Sequence, residues 1–162
     1  SNLTSKISNL FVVNFRVKSF NELTNSELYA ILKLRQEIFV VEQNCIYLDA
    51  DGYDEKAMHV LGETENGKLA AYIRIFAPGD CYDEAAIGRV VVSADFRGKQ
   101  LGVKVMEYGI DYCKKHFPDS PIKIGAQVYL DKFYRSLGFV PVSEMYLEDG
   151  IEHQYMELQV TS

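Results

Sequence analysis

The stretch from Val90 to Val103 constrains the fold more than any other part of the chain. A β-branched run, Val90-Val91-Val92, passes through Ser93-Ala94-Asp95-Phe96 into the turn Arg97-Gly98-Lys99-Gln100-Leu101-Gly102 and then into a helical pattern. Such a run suits a strand buried on both faces of a sheet. The helical pattern, Leu101, Val105, Tyr108 and Tyr112, ends in Lys114, Lys115 and His116, cations placed where a helix C-terminus favours them, and Pro118 stops it. A strand that turns through glycine into a helix predicts an α/β sheet with helices laid on it.

The other elements fit around this unit. Strands are predicted at 11–17, about 57–63 and 68–77, 85–93, 122–128, 139–146 and 153–160, with turns at Glu65-Asn66-Gly67 and Glu148-Asp149-Gly150. Thr24 and Glu27 form a capping box for a first helix, on which Leu28, Ile31, Leu32, Arg35, Ile38 and Phe39 recur at spacings of three and four. Leu130, Phe133, Tyr134 and Leu137 mark a short third helix closed by Gly138. The order β-α-β-β-β-α-β-α-β-β predicts a mixed sheet of about seven strands. With 162 residues, no repeat and no linker tract, residues 1–162 read as one domain.

Composition narrows the function. Hydrophobic residues make up 48% of the chain, with 11 Tyr and 9 Phe, enough for a packed core. The net charge of −6 opposes binding along a nucleic-acid backbone but draws in a cationic substrate. Cys45, Cys81 and Cys113 are odd in number and lack C-x-x-C spacing, so neither a disulfide framework nor a metal site is expected and a reducing cytoplasmic setting is. The longest apolar run, Leu69 to Ile73, is far below the ~20 residues of a membrane span. Ser1-Asn2 reads as a tag scar.

The turn at 97–102 also carries chemistry. The first N–H groups of a helix have no partner within it, and the helix dipole adds positive potential, so a pyrophosphate is a natural ligand there. Arg97, Lys99 and Lys104 add charge around the same place, and the glycines let the backbone come close.

This segment resembles motif A of the GNAT N-acetyltransferase superfamily, [QR]-x-x-G-x-[GA], with Arg97, Leu101 and Gly102 matching and Gln100 standing where the family has its middle glycine. Ala126 to Phe139 is similar to the family's motif B, which ends in [LF]-Y-x-x-[LF]-G-F, with Tyr134 at the tyrosine position. Arg35-x-x-x-Phe39-Val40-Val41-Glu42-Gln43-x-Cys45-x-Tyr47, then Asp49, Asp51 and Asp54, Gly88-Arg89-Val90, and Glu148-Asp149-Gly150-Ile151-x-His153 resemble the ElaA-type branch. The resemblance implies the GNAT fold, with helices on both faces of the sheet and a splayed strand pair forming the cofactor cleft. It implies acetyl-CoA as co-substrate, held by Val90, Val91 and Val92, by Arg97, Gly98, Lys99, Gln100, Leu101, Gly102 and Val103, and by Gln127. Tyr134 would protonate the departing coenzyme A sulfur.

On the substrate side the resemblance points to Arg35, Glu42, Asp49, Asp51, Asp54 and His153. Arg35 is either an interior arginine paired with one of the Asp49–Asp54 carboxylates or a lining residue of the acceptor pocket. The acidic residues are either a solvated loop or the acceptor wall. His153, just past a hairpin turn, is a candidate proton relay, whereas His59 and His116 read as structural or surface residues and Cys45 as a small buried hydrophobe. No glutamate lies within Ile87 to Val92, where many relatives hold one, which leaves a water relayed by Glu42, an Asp of the loop or His153, and no single base is assigned. The expected activity is acetyl transfer to a small or peptide amine by a monomer or homodimer. An acyl-homoserine-lactone-synthase-like acyltransferase and a catalytically idle acyl-CoA-binding module are the alternatives.

Overall fold

A computed structural model describes residues 11–161, so Ser1 and Asn2 lie outside the described residues. The chain runs β1 (Val13–Ser19), α1 (Asn25–Arg35), β2 (Met58–Thr64), β3 (Leu69–Phe76), β4 (Ala85–Val92), α2 (Leu101–His116), β5 (Ile122–Gln127), α3 (Asp131–Ser136), β6 (Val140–Pro141), β7 (Tyr146–Glu148) and β8 (Ile151–Leu158). All eight strands share one sheet in the order β1-β2-β3-β4-β5-β8-β6, with β7 also paired to β8. The count is eight and not seven because the expected 139–146 strand is two short pieces. Pro141 lacks the N–H a longer ladder needs, and the Ser143 hydroxyl takes the Tyr155 N–H at 2.9 Å where a backbone partner would sit.

Local chemistry places the helices. Thr24 and Glu27 form the reciprocal cap that starts α1. After Arg35 the chain widens into a π-helical segment, Gln36–Glu42, where the sequence reading continued the α-helix. The two faces of the sheet are covered separately. Leu61, Tyr72 and Val91 pack against Ile31 and Leu34 of α1, while Val60, Ala71, Ile73 and Ile75 pack against Leu101, Val105, Met106 and Ile110 of α2. No helix among the described residues is long and apolar enough to cross a membrane.

Gly109, in the middle of α2, lets that helix sit close on the sheet. A Cβ there would stand 2.4 Å from Ile73 Cδ1 and 3.2 Å from Ile87 Cδ1. Overpacking a filled core costs about 1–3 kcal/mol, against a helix-propensity gain of about 1 kcal/mol for Ala over Gly. Gly109→Ala should therefore lower stability by about 1 kcal/mol in urea unfolding, and adding Ile73→Val, which removes the clashing methyl, should restore most of it. An unchanged midpoint for the single variant counts against this close fit.

Two irregularities in β4 shape the site. Its register on β3 shifts between Tyr72 and Arg74, so that Gly88 to Val91 span one residue more than the strand they face, and Arg89 takes a positive φ of 50°. A bulge of this kind bends and twists its strand. On the other edge β4 pairs with β5 only at Ala85↔Ile122 and Ala86↔Lys123. Beyond these pairs the strands part, while β5 stays fully paired to β8 from Ile122↔Leu158 to Gln127↔His153.

Candidate active site

The parting of β4 and β5 opens into a cleft of about 720 Å³. Val90, Val91 and Val92 line one side. Gln127, Leu130 and Tyr134 line the opposite side, the π-helical segment contributes Phe39 and Glu42, and the β7–β8 hairpin contributes Glu148 and His153. The β4 backbone facing the gap has no strand partner past Ala86, so its polar groups are available to a guest.

The N-terminus of α2 stands beside this cleft. Gln100 caps the helix with φ 59° and ψ 27° and supplies no side-chain acceptor, and the first helical bond at this end is Lys104 N–H to the Gln100 carbonyl, 3.1 Å. The N–H groups of Leu101, Gly102 and Val103 therefore begin the helix without a partner inside it. The left-handed backbone at Gln100 explains why a glycine suits this position. Gln100→Gly should relieve part of the ~1–2 kcal/mol that an L-residue incurs there. Unfolding experiments should show a modest gain in stability, and calorimetry should show coenzyme A affinity equal or tighter; a clear loss of both goes against this geometry.

The expected cofactor residues are not brought together as one lining set. Arg97 lines the cleft and forms an ion pair with Glu42 across its mouth. Gly98, Lys99, Gln100, Leu101, Gly102 and Val103 lie outside the lining, in the turn and first helical turn. The Lys99 ammonium sits over the Phe11 ring at 4.7 Å. Leu101 is buried in the core, so its side chain belongs to packing. A Cβ on Gly102 would meet Phe133 at 3.5 Å and Val92 at 4.0 Å, ordinary van der Waals contacts.

Tyr134 is only 6% exposed, packed edge-on against Phe133 and Phe139, and it lines the cleft. Burial pushes its phenol above the ordinary value of 10, so it stays protonated at neutral pH. Gln127 donates from Nε2 to Gln43 Oε1 over a long 3.4 Å, and its own buried Oε1 has no partner among the described residues. That is a vacant acceptor in the cleft wall.

The acidic loop is a different object from the acceptor wall the sequence suggested. Arg35 is fully buried: its Nε donates to Asp49 Oδ2 at 2.7 Å, Nη1 to Asp54 Oδ1 at 2.8 Å and Nη2 to the Asp49 carbonyl at 3.1 Å. Arg74 of β3 donates to Asp51 Oδ1 and Asp54 Oδ1, both at 2.9 Å. Arg89, turned out by the bulge, pairs with Asp49 at 2.9 Å and Asp51 at 3.3 Å. Arg35, Asp49 and Asp54 are thus placed behind the cleft and not among its lining residues; only Asp51 reaches it. Three carboxylates face three guanidiniums, so the loop carries no surplus charge to steer a cation. Although burial opposes it, pairing with Arg74 holds the Asp51 carboxyl well below the usual carboxylate range, and pairing with Arg35 does the same for Asp54.

His59 extends this network, its Nε2–H donating to the Asp54 carbonyl at 2.9 Å and its Nδ1 accepting from the Tyr72 hydroxyl at 2.6 Å. Burial lowers its proton affinity. Sequence reasoning missed Arg74 and gave Arg89 no role. Arg74 stood as a lone charge in the apolar run Leu69–Phe76, the same signal that marked Arg35 on its helix.

Strand splay, bulge and helix N-terminus together define an acyl-CoA N-acyltransferase of the GNAT kind. The family model for the acetyltransferase (GNAT) domain matches residues 38–160, and the chain belongs to this family and is an acyltransferase. Protein ElaA of Escherichia coli K12 is 46% identical over 142 residues, covering 86% of this chain and 92% of ElaA. Its crystal structure superposes with a TM-score of 0.84 at 43% identity, over 91% of this chain and 100% of that one. An acyl-CoA N-acyltransferase from Pseudomonas aeruginosa superposes with a TM-score of 0.86 at 39% identity and the same coverage.

Proposed function

We propose that this acyltransferase uses acetyl-CoA and acetylates a primary amine, on a small molecule or a peptide, by direct attack of the nitrogen on the thioester carbonyl. The observation that carries this reading is the cleft between β4 and β5, which joins an unpaired strand edge to the buried, protonated Tyr134. In this reading the pantetheine arm lies along Val90–Val92 and donates an amide N–H to the vacant Gln127 Oε1. The pyrophosphate takes the N–H groups of Gly98 to Val103, with Arg97 exchanging Glu42 for phosphate. The β4 N–H groups steady the oxyanion that forms when nitrogen attacks. As the carbon–sulfur bond breaks, Tyr134 gives its proton to sulfur. Cys45 lines the cleft, but its thiol is given to the Asp149 carbonyl at 3.5 Å and no base is hydrogen-bonded to it, which supports transfer without an acyl-enzyme.

The deciding experiment incubates the protein and acetyl-CoA with polyamines, amino acids, aminoglycosides and peptides and reads products by mass spectrometry. An acetylated amine is the expected result. A lactone formed only with S-adenosylmethionine, or coenzyme A binding without any product, would replace this reading with a synthase or an idle binding module.

A further inference from the structure

We propose that His153 is the base that takes the proton from the attacking amine, with Glu148 as the residue that holds the resulting imidazolium. This rests on the acetyl-transfer reading and assigns the one role that reading leaves open.

Two of the other acids of the cleft are engaged, and the third, Asp149, is exposed at the tip of the β7–β8 hairpin. Glu42 is paired with Arg97, and Asp51 with Arg74 and Arg89. The Tyr47 hydroxyl is given to Asp49 at 3.0 Å. His153 differs from all of these. Its side chain lines the cleft and is nearly buried, at 9% exposure. Its Nδ1 lies 2.8 Å from the Ile151 carbonyl. A carbonyl can only accept, so the ring proton sits on Nδ1 and the lone pair on Nε2. The imidazole stacks on Tyr146, with centroids 5.8 Å apart and planes 26° apart, which limits its rotation. Nε2 makes no hydrogen bond to any described residue; Glu148 Oε2 stands 3.7 Å away, too far for a hydrogen bond but close enough to attract a cation.

The register puts this lone pair where it is needed. His153 of β8 is the Cα partner of Gln127 of β5. Directly opposed residues of an antiparallel pair point to the same face, with Cβ atoms about 4.5–5.5 Å apart. The imidazole therefore flanks the side chain that the proposed function gives to the pantetheine arm, and that side chain in turn reaches Gln43 at the end of the π-helical segment.

The proton balance closes. Nitrogen forms its bond to the carbonyl carbon and passes a proton to His153 Nε2; the carbon–sulfur bond breaks and sulfur takes the Tyr134 proton. The imidazolium faces the Glu148 carboxylate, half-way to solvent, and sheds its proton while the Tyr134 phenolate recovers one. The net change is amine plus acetyl-CoA to amide plus coenzyme A.

The test uses His153→Ala and His153→Gln. Coenzyme A affinity is measured by calorimetry, and thiol release from acetyl-CoA is followed with the acceptor the screen identifies, or with water as acceptor if it identifies none. Both variants should bind coenzyme A within about twofold of wild type, while kcat falls by ~10² or more, within the usual range for positioned proton transfer. Added imidazole should restore turnover in His153→Ala and not in His153→Gln, whose side chain fills the vacated space. A structural role would not produce that rescue. Turnover within threefold of wild type in both variants, or a loss that imidazole never repairs, overturns the assignment. Wild-type protein that fails to bind coenzyme A removes the underlying reading instead, and wild type that binds it yet releases no thiol removes both.

Discussion

Arg35→Met should destabilise the fold by about 3–5 kcal/mol, the cost of leaving a buried ionic partner uncompensated. The guanidinium is fully buried and joins Asp49 to Asp54, so methionine fills much of the space but strands a net negative charge among three aspartates and two remaining arginines. In a chain of this size each kcal/mol moves the melting temperature by roughly 2–4 °C, so the thermal midpoint should fall by about 6–20 °C. Asp49→Asn added to Arg35→Met should recover part of the loss by restoring charge balance. A fall of less than about 1 kcal/mol for the single variant means that the network is solvated and the pairing decorative.

Acid should weaken the same network. Asp51 and Asp54 are held below their ordinary range in the folded state, so their contribution is present at neutral pH and is lost as pH falls through the folded values. His59 is likewise depressed by burial from 6.5, so below that value the unfolded chain binds the proton more readily and stability falls in the same direction. Stability should decline on acidification from about pH 6.5 and more steeply once carboxylates protonate, near pH 4.

Tyr134→Phe should lower kcat by ~10², near the low end for positioned proton transfer. The substitution keeps the ring between Phe133 and Phe139 and removes only the hydroxyl, so folding and coenzyme A affinity should be unchanged. Burial raises the phenol, which makes it a weaker acid than a free tyrosine and widens the gap to a thiol near ~8.5. The proton must therefore move as sulfur gains charge and not before. A thiolate can also leave unassisted, which limits the loss. Pre-steady-state kinetics that show kcat within threefold of wild type, with chemistry rate-limiting, would make Tyr134 a packing residue.

The comparison of sequence with structure separates by range of interaction. The capping box of α1 involves residues three apart, and the helix from Leu101 to His116 shows its apolar face and its cationic end in consecutive turns. Such features are written locally, and the sequence reading placed them within a residue or two. The strand, turn and helix start between residues 90 and 104 were legible for the same reason, because they lie within one short stretch. The left-handed backbone at Gln100 is local too, a conformation that glycine adopts more readily than an L-residue.

The braced loop at residues 49–54 depends on residues far apart in the chain. Arg35 meets Asp49 and Asp54 across 14 and 19 residues, Arg74 meets Asp51 across 23 and Arg89 meets Asp49 across 40. A row of aspartates in the sequence looks the same whether solvent or buried guanidinium faces it, and only the packing of α1, β3 and the β4 bulge against one loop turned an expected acidic wall into a neutral brace. His153 shows the same division. Its place after a hairpin turn was readable, but its tautomer comes from the Ile151 carbonyl and its neighbour Gln127 from strand register. Short-range propensity and capping thus wrote most of the strands, the helices and the glycine turn before α2 into the sequence, whereas the cleft itself exists because β4 leaves β5 after two pairs, a matter of long-range strand pairing that no local pattern encodes.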